Sequence, residues 1–291
     1  MIVQFQGDFE EQNKGLEFIA SYFSAHGYET TFDLDKEADV GIYASSGTRR
    51  NAKICFDVNH GIGNKGWHWC KADIHDMHEK ERRNINLVPN KLVADFLTNN
   101  GCQAHIVGVP YMDMAYYVPI INKNGVFYCP THNHELCSLW YIGPRIYDLG
   151  ETTFKVHPML NSRFPVVMDM FKNSYDGFAC TGIAENAITV CDYASCALEA
   201  VMLNRPVIVF ELGCYRYSNL FLPNSLEWRF RNAYYQAESW DDVKRYVQML
   251  RNGNDPLADI RKKASEVLVE YPGHSRRRIL EVVENIAKEQ L

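Results

Sequence analysis

The chain has 291 residues, of which 46% are apolar and 23% are charged, and its formal net charge is −6. This composition is typical of a globular protein and excludes a disordered, collagen-like or coiled-coil chain. The length suits two domains or one large α/β domain. The acidic balance gives no support to a chain-wide basic surface of the kind that binds nucleic acid without sequence preference, although it is compatible with a local basic patch.

The sequence carries no signal for a membrane or an oxidising compartment. No apolar run reaches the roughly 18 residues that a membrane-spanning helix needs, and the first residues lack the basic start and apolar stretch of a signal peptide. The nine cysteines are an odd number scattered through predicted strands and helices, which favours free thiols in a reducing environment. We therefore expect a cytoplasmic protein without a transmembrane segment.

The first part of the chain alternates short apolar runs with longer helical patterns. The predicted strands are 2–6, 29–32, 39–44, 53–58, 86–89 and 104–107, and the predicted helices are 10–26 and 91–99. Alternation of strands with helices predicts a mostly parallel sheet covered by helices.

The alternation restarts after a seam formed by Pro110, Pro119 and the polar turn 122–125. The predicted strands of the second part are 126–129, 153–156, 187–191 and 207–210, and its predicted helices are 195–203, 240–251, 255–270 and 275–288. The fold class is therefore α/β, with two predicted domains at 1–118 and 119–291.

Candidate functional residues follow the predicted strands, because ligands of open parallel sheets bind at the carboxyl ends of the strands. The glycine-rich segment 57–65 places His60 and Lys65 after the strand 53–58. This segment offers a general base, a positive charge and close approach of the backbone to a ligand. A turn with a solvated histidine explains the same residues equally well.

The second domain offers three further candidates. His157 precedes a proline, which favours an extended backbone, and its imidazole can donate to a phosphate oxygen; a packed histidine at a domain edge is the alternative. Ser195 lies where a helix N-cap is expected, and the start of that helix can bind a diphosphate, although capping needs no ligand. Glu211 ends a strand and can bind ribose or polyol hydroxyls, with an edge salt bridge as the simpler explanation.

Several short motifs occur in the order and spacing of one known family. They are His60-Gly61 with Lys65, Gly108-Val109-Pro110-Tyr111-Met112-Asp113, Tyr128-Cys129-Pro130-Thr131, His157-Pro158, Asp192-Tyr193-Ala194-Ser195, Glu211 with Tyr215, and Pro272-Gly273. Together they resemble the CDP-glycerol:poly(glycerophosphate) glycerophosphotransferases of teichoic-acid synthesis. Tyr111 replaces an arginine of the family pattern, and Ala194 replaces a serine.

The resemblance implies a GT-B architecture of two Rossmann-like domains. The first domain would carry the acceptor and the second the nucleotide donor, and residues 273–291 would form a helix that packs back toward the first domain. The implied reaction transfers a glycerol-phosphate, polyol-phosphate or sugar group from a CDP-glycerol-like or UDP-sugar-like donor to an acceptor hydroxyl of a polymer or glycan. It needs no metal and no further cofactor, because protein groups supply the positive charge.

The resemblance also implies a role for each candidate residue. His60 would be the general base and Lys65 a positive group beside it. The donor diphosphate would be held by His157, Ser195 and Arg145, and the donor polyol or ribose by Glu211 and Tyr215. The acceptor side would include Trp67, Trp69 and Asp113.

Other interpretations stay open at this stage. A zinc site at His68, Cys70, His75 and His78 is disfavoured by the uneven spacing of the ligands. The aromatic pair Trp67 and Trp69, which equally suits a buried core, motivates a glycosyltransferase that acts on a hydroxymethylated base of phage-type DNA. In that reading the arginines 229, 231 and 276–278 would contact phosphates. A non-catalytic accessory protein that binds nucleotide sugars is a third reading.

Overall fold

The computed structural model describes residues 1–7, 10–44, 51–58, 84–131, 137–157, 174–211 and 225–291, with the single positions 160, 166 and 171. These residues form two compact units. The first contains the described residues of 1–58 and 84–113 together with Val267–Leu291, and the second contains those of Met114–Glu266. The division falls slightly before the expected boundary at 118/119, and the last segment of the chain belongs to the first unit.

The first unit is a six-stranded parallel sheet. Its strands are β1 (Ile2–Gln6), β2 (Glu29–Thr31), β3 (Ala38–Tyr43), β4 (Ala52–Val58), β5 (Ile85–Val88) and β6 (Gln103–Ile106), in the order β2-β1-β3-β4-β5-β6. Its first helices are α1 (Glu10–Ala25) and α2 (Lys91–Asn99). The central strands are runs of fully buried residues such as Val40 and Ile42, as expected for a parallel sheet covered on both faces.

The second unit is a five-stranded parallel sheet in the order β11-β10-β9-β7-β8. Its strands are β7 (Asn122–Cys129), β8 (Thr152–Phe154), β9 (Asn186–Cys191), β10 (Val207–Phe210) and β11 (Tyr235–Ala237). Its helices among the described residues are α3 (Leu139–Ile142), α4 (Ala179–Glu185), α5 (Ser195–Met202), α6 (Leu226–Arg229), α7 (Trp240–Arg251) and α8 (Ala258–Leu268). The last two residues of α8 lie past the division and belong to the first unit.

The predicted fold class is confirmed: both units are α/β with parallel sheets. Most predicted strands agree with the observed ones within one or two residues. The sequence analysis missed the edge strand β11 and the helices α3, α4 and α6. Among the described residues, no helix combines the length and apolar character needed to cross a membrane.

The last helix, α9 (Ser275–Gln290), packs on the core of the first unit. Its buried side chains Ile279, Val283 and Ile286 join the cluster that contains Phe5 of β1 and Phe23 of α1. The helix alternates these apolar positions with charged ones, so one face is buried and the other is solvated. The chain therefore completes the first unit with its own carboxyl-terminal segment.

A buried carboxylate holds the start of α9. Asp113 is 1% exposed and accepts hydrogen bonds from the backbone N–H groups of Ser275 at 2.9 Å and Arg276 at 3.0 Å, with the Arg276 Nε at 3.3 Å. Gly108 makes room for the same segment: its φ is +86°, and a Cβ there would lie 2.5 Å from the carbonyl oxygen of Glu270. The segment 108–113 is thus a clamp on the helix start.

Replacing Asp113 with alanine should destabilise the first unit by about 2–3 kcal/mol, because the variant loses a helix cap and a charge-assisted bond to Arg276. Denaturant unfolding of the full chain measures this. The matched control is Asp95→Ala, which removes an exposed carboxylate paired with Lys91 and should change the free energy of unfolding by no more than about 0.5 kcal/mol. If the two substitutions change the free energy of unfolding equally, the Asp113 carboxylate does not stabilise the start of α9.

Candidate functional site

The carboxyl edge of the second sheet gathers residues that the sequence analysis assigned to the donor. Neighbouring strands end level with one another, since Cys129 is paired with Cys191 and Phe210 with Ala237. Because the five strands are parallel, the segments that follow them emerge at the same edge. These segments carry His157 after β8, Asp192 and Ser195 after β9, and Glu211 after β10.

Asp192 organises this edge with its carboxylate. One oxygen accepts a hydrogen bond from the backbone N–H of Thr131 at 2.8 Å and the other from that of Ser138 at 3.1 Å, and the residue is 1% exposed. The Ser138 hydroxyl lies 2.9 Å from that of Tyr128. Burial and the charge of Asp192 raise the pKa of Tyr128 well above its ordinary value, so this hydroxyl stays protonated. Asp192 therefore ties the segment after β7 to the end of β9.

The sequence analysis quoted Asp192 only within a motif and gave it no role. The pattern that could have found it is an acidic residue directly after a buried strand, where a carboxylate can accept backbone N–H groups from the neighbouring loop. The loop in question follows β7 at Pro130-Thr131.

Helix α5 begins at this edge, and its amino terminus has an unusual cap. The N-cap is Ala194, in an extended conformation with φ −143° and ψ 170°, and it makes no side-chain cap hydrogen bond. The expectation that Ser195 is the N-cap is wrong by one position, because Ser195 is the first residue of the helix. The methyl group of alanine cannot accept from the first-turn N–H groups. The electropositive helix end can instead be matched by an anionic ligand.

Glu211 is joined to the turn that precedes α5. Its carboxylate accepts a hydrogen bond from the hydroxyl of Tyr193 at 3.2 Å, and the residue is 4% exposed. Its backbone N–H donates to the carbonyl oxygen of Ala237 at 2.8 Å, which extends the pairing of β10 with β11. The Tyr193 ring lies 5.7 Å from that of Trp228. Glu211 thus has a fixed position one residue past the end of its strand.

His157 and Arg145 occupy different surroundings. His157 is half-buried, and its carbonyl oxygen accepts from the N–H of Leu160 at 2.8 Å. Arg145 lies in the 3-10 segment Gly143–Leu149 and is exposed, with its guanidinium 5.5 Å from the ring centre of Trp240. That contact places Arg145 beside the first turn of α7.

The remaining candidates divide into two groups. Asp113, expected on the acceptor side, lies in the first unit with its carboxylate bound to the start of α9. The others lie outside the described residues: His60, Lys65, Trp67, Trp69, Tyr215, and the zinc candidates His68, Cys70, His75 and His78. Within the described ranges, no group of three or more acidic, histidine or cysteine side chains is arranged to hold a metal ion.

The arginines considered for a DNA backbone mostly have partners within the chain. Arg276 is bound by Asp113 and lies 3.8 Å from the ring centre of Phe18. Arg231 stacks over Trp228 at 4.4 Å. In the run after residue 275, both Arg277 and Arg278 pair with Glu281. The pairs of Arg277 and Arg278 with Glu281 are those of a solvated helix face, and the contacts of Arg276 and Arg231 are made within the protein, so these arginines give little support to nucleic-acid binding.

Comparison with known proteins finds similarity in structure alone. No protein-family model matches the chain, and no curated protein is similar to it in sequence. The structure of the wall teichoic acid polymerase TagF is similar with a TM-score of 0.73 and 12% identity, over 100% of this chain and 90% of the other. The UDP co-structure of MnaA from S. aureus is similar with a TM-score of 0.59 and 11% identity, over 99% and 96%.

A third similar structure is the UDP-GlcNAc 2-epimerase of Methanocaldococcus jannaschii in complex with UDP-GlcNAc and UDP. Its TM-score is 0.59 at 11% identity, over 98% of this chain and 100% of the other. The class of protein is therefore defined by fold: the chain has the GT-B fold of two Rossmann-like α/β units. Within that class it is similar to the teichoic acid polymerase TagF, as the motifs of the sequence predicted.

Replacing Asp192 with asparagine should destabilise the second unit by about 1–3 kcal/mol, because the amide turns an NH₂ group toward one of the two N–H donors. Denaturant unfolding checks this against Asp241→Asn, which alters an 87% exposed carboxylate of the same unit. An Asp192→Asn protein as stable as the control would show that the carboxylate does not hold the edge together.

Proposed function

We propose that the chain is a metal-independent transferase that moves a glycerol-phosphate, polyol-phosphate or sugar group from a nucleotide-diphosphate donor to an acceptor hydroxyl. The observation that carries this proposal is the amino terminus of α5, which starts at the carboxyl edge of the second sheet with alanine as its N-cap. His157 follows the edge strand β8 and Glu211 follows β10, so both lie at the same end of the parallel strands, with β7 and β9 between them. Similar structures hold UDP or UDP-GlcNAc, which supports a nucleotide-diphosphate ligand here.

The proposed donor site uses charge and backbone groups in place of a metal. The first-turn N–H groups of α5 and the Ser195 hydroxyl would bind phosphate oxygens, and the His157 imidazole would donate a further hydrogen bond. Arg145, beside the first turn of α7, would add positive charge. Glu211, which Tyr193 holds in position, would accept from donor hydroxyls, together with Tyr215.

The proposed chemistry is attack by the acceptor oxygen as His60 removes its proton. With a polyol-phosphate donor, the oxygen attacks the distal phosphorus and the nucleoside monophosphate leaves. With a sugar donor, it attacks the anomeric carbon and the nucleoside diphosphate leaves. Lys65 and the electropositive end of α5 would stabilise the charge on the leaving group. Trp67 and Trp69 would face the acceptor. Asp113 has no role in this proposal, because its carboxylate accepts hydrogen bonds from the start of α9.

Nucleotide diphosphates should raise the melting temperature of the protein, because a ligand that binds only the native state stabilises it by mass action. CDP, UDP and GDP are compared with cytidine and uridine, which lack phosphates. A higher melting temperature with CDP favours a CDP-glycerol-like, polyol-phosphate donor, and a higher melting temperature with UDP favours a UDP-sugar donor. If no nucleotide diphosphate shifts the transition more than the nucleosides do, the donor proposal is wrong.

His157→Ala should weaken binding of the preferred nucleotide diphosphate about tenfold, the effect of one lost charge-assisted hydrogen bond. Isothermal titration calorimetry measures the affinity. The control is His105→Ala, which removes a partly buried histidine from β6 of the first unit and should leave the affinity unchanged. If the wild type and His157→Ala bind the nucleotide with equal affinity, His157 does not contribute to the donor site.

His60→Ala should reduce turnover by about 10²–10⁴-fold, the usual contribution of a general base, and leave nucleotide affinity as in the wild type. Release of nucleotide from CDP-glycerol or UDP-sugars in the presence of candidate acceptors provides the assay. Full activity in the variant would exclude His60 as the base. Nucleotide binding by a wild-type protein that turns over no donor would favour the accessory-protein reading.

A further inference from the structure

Arg231 carries a charge that no carboxylate of the described residues neutralises. It is the first residue of the 3-10 turn Arg231–Ala233, which follows α6. The arginines of the run 276–278 differ from it, because each of them pairs with a carboxylate. The contacts of Arg231 are instead with an aromatic ring and a backbone carbonyl oxygen. Its charge is therefore unpaired within the part of the chain that the structure describes.

The Arg231 side chain is held in place by Trp228. The carbon of its guanidinium lies 4.4 Å from the centre of the Trp228 ring, and its Nη1 donates to the carbonyl oxygen of Trp228 at 2.9 Å. A guanidinium has five N–H groups, and the others have no acceptor among the described residues. Arg231 is also half-buried. The group is thus fixed in position, with most of its hydrogen-bond donors open to a ligand.

Trp228 connects Arg231 to the proposed donor site. The centre of its ring lies 5.7 Å from that of Tyr193, whose hydroxyl donates to the Glu211 carboxylate at 3.2 Å. Tyr193 directly precedes Ala194, the N-cap of α5. Helix α6, which carries Trp228, packs against α5. The unpaired cation therefore lies beside the elements to which we assign the phosphates and hydroxyls of the donor.

We propose that Arg231 binds a phosphate of the nucleotide-diphosphate donor and that Trp228 positions it. The inference rests on the proposed function and deepens it, because it adds a cation to the donor site. The sequence analysis considered Arg231 only for contact with a DNA backbone. Its stacking on Trp228 and the link through Tyr193 to Glu211 assign it instead to the edge of the second sheet where α5 begins.

A fixed guanidinium suits a phosphate for two reasons. Its planar fork of N–H groups matches two oxygens of one phosphate, and these charge-assisted hydrogen bonds are stronger than neutral ones. Because the contacts with Trp228 already hold the side chain, binding costs little additional conformational entropy. In the proposed reaction, Arg231 would also stabilise the charge that develops on the leaving nucleotide. A nucleoside without phosphate would gain nothing from it.

A small anion fits Arg231 better than a nucleic acid does. Binding to a duplex backbone relies on several exposed cations that reach successive phosphates. Arg231 is half-buried, the run 276–278 is paired with carboxylates, and the chain has a net charge of −6. A single fixed cation beside α5 matches one phosphate group of a small ligand.

The test compares binding of the preferred nucleotide diphosphate, CDP or UDP, with binding of its nucleoside by isothermal titration calorimetry on the full chain. Arg231→Met removes the charge and keeps an apolar side chain against Trp228. It should weaken binding of the nucleotide diphosphate about tenfold and leave binding of the nucleoside unchanged. Arg231→Gln should give the same result, so that the test does not depend on the folding of one variant.

The matched control is Arg229→Met, which changes the net charge by the same amount. Arg229 is exposed and lies in the last turn of α6, two positions before Arg231. We expect both of its affinities to equal those of the wild type. Equal weakening by Arg229→Met and Arg231→Met would show an effect of net charge alone and overturn the assignment. Equal loss of nucleoside and diphosphate binding in both Arg231 variants would show a structural role and overturn it as well.

Failure of this inference and failure of the proposed function give different results. If the wild type binds a nucleotide diphosphate and the two Arg231 variants bind it equally well, the inference is wrong and the donor proposal stands. If the wild type binds no nucleotide diphosphate, the proposed function is wrong and this inference falls with it. If Arg231→Met weakens binding of duplex DNA and leaves that of the nucleotide diphosphate unchanged, Arg231 belongs to a nucleic-acid surface, which also overturns the inference.

Discussion

The carboxylate of Asp192 is the interaction on which the candidate site depends. It accepts the backbone N–H groups of Thr131 and Ser138, and each of these bonds is charge-assisted and shielded from water, which makes it worth more than an exposed one. Asp192 comes shortly before α5, yet its oxygens serve the neighbouring loop. The N-cap of that helix is Ala194, which makes no side-chain cap hydrogen bond, and the proposed function assigns the positive helix end to a ligand anion.

The first unit also contains a buried aspartate that accepts backbone N–H groups, but this one holds the start of a helix. Asp113 is also buried and also accepts two backbone N–H groups, here at the start of α9. Both aspartates belong to motifs by which the sequence resembles teichoic-acid transferases. Both positions stabilise the fold of this chain, which is similar to that of TagF at 12% identity.

The regular elements were predictable because their signals are local. Buried parallel strands such as Val207–Phe210 are continuous apolar runs, and α7 follows a serine N-cap with acidic residues in its first turn. Helix α4 was missed because Thr181 and Gly182 lower its helix propensity. Gly182 is needed there: a Cβ would lie 2.2 Å from the ring of Phe127, a contact that only the folded chain reveals.

The site was predictable only in part, for the same reason. The strand ends pointed to His157, Ser195 and Glu211, and the parallel topology brings them to one edge. The partners that hold this edge are distant in the sequence, since Asp192 lies 61 residues from Thr131. No local pattern specifies such a bond. The one-residue error at the N-cap arose because serine is a far better cap than alanine, and the chain places alanine there.

Hydrogen–deuterium exchange with and without the nucleotide diphosphate tests most directly whether the edge held by Asp192 binds a diphosphate. A bound diphosphate should slow exchange at the first-turn amides of α5 that lack a helical partner and at residues 155–157. The account predicts protection centred there. Protection confined to another part of the chain, such as the open cavity of about 480 Å³ lined by Tyr235, Gln236 and Tyr246, would contradict it.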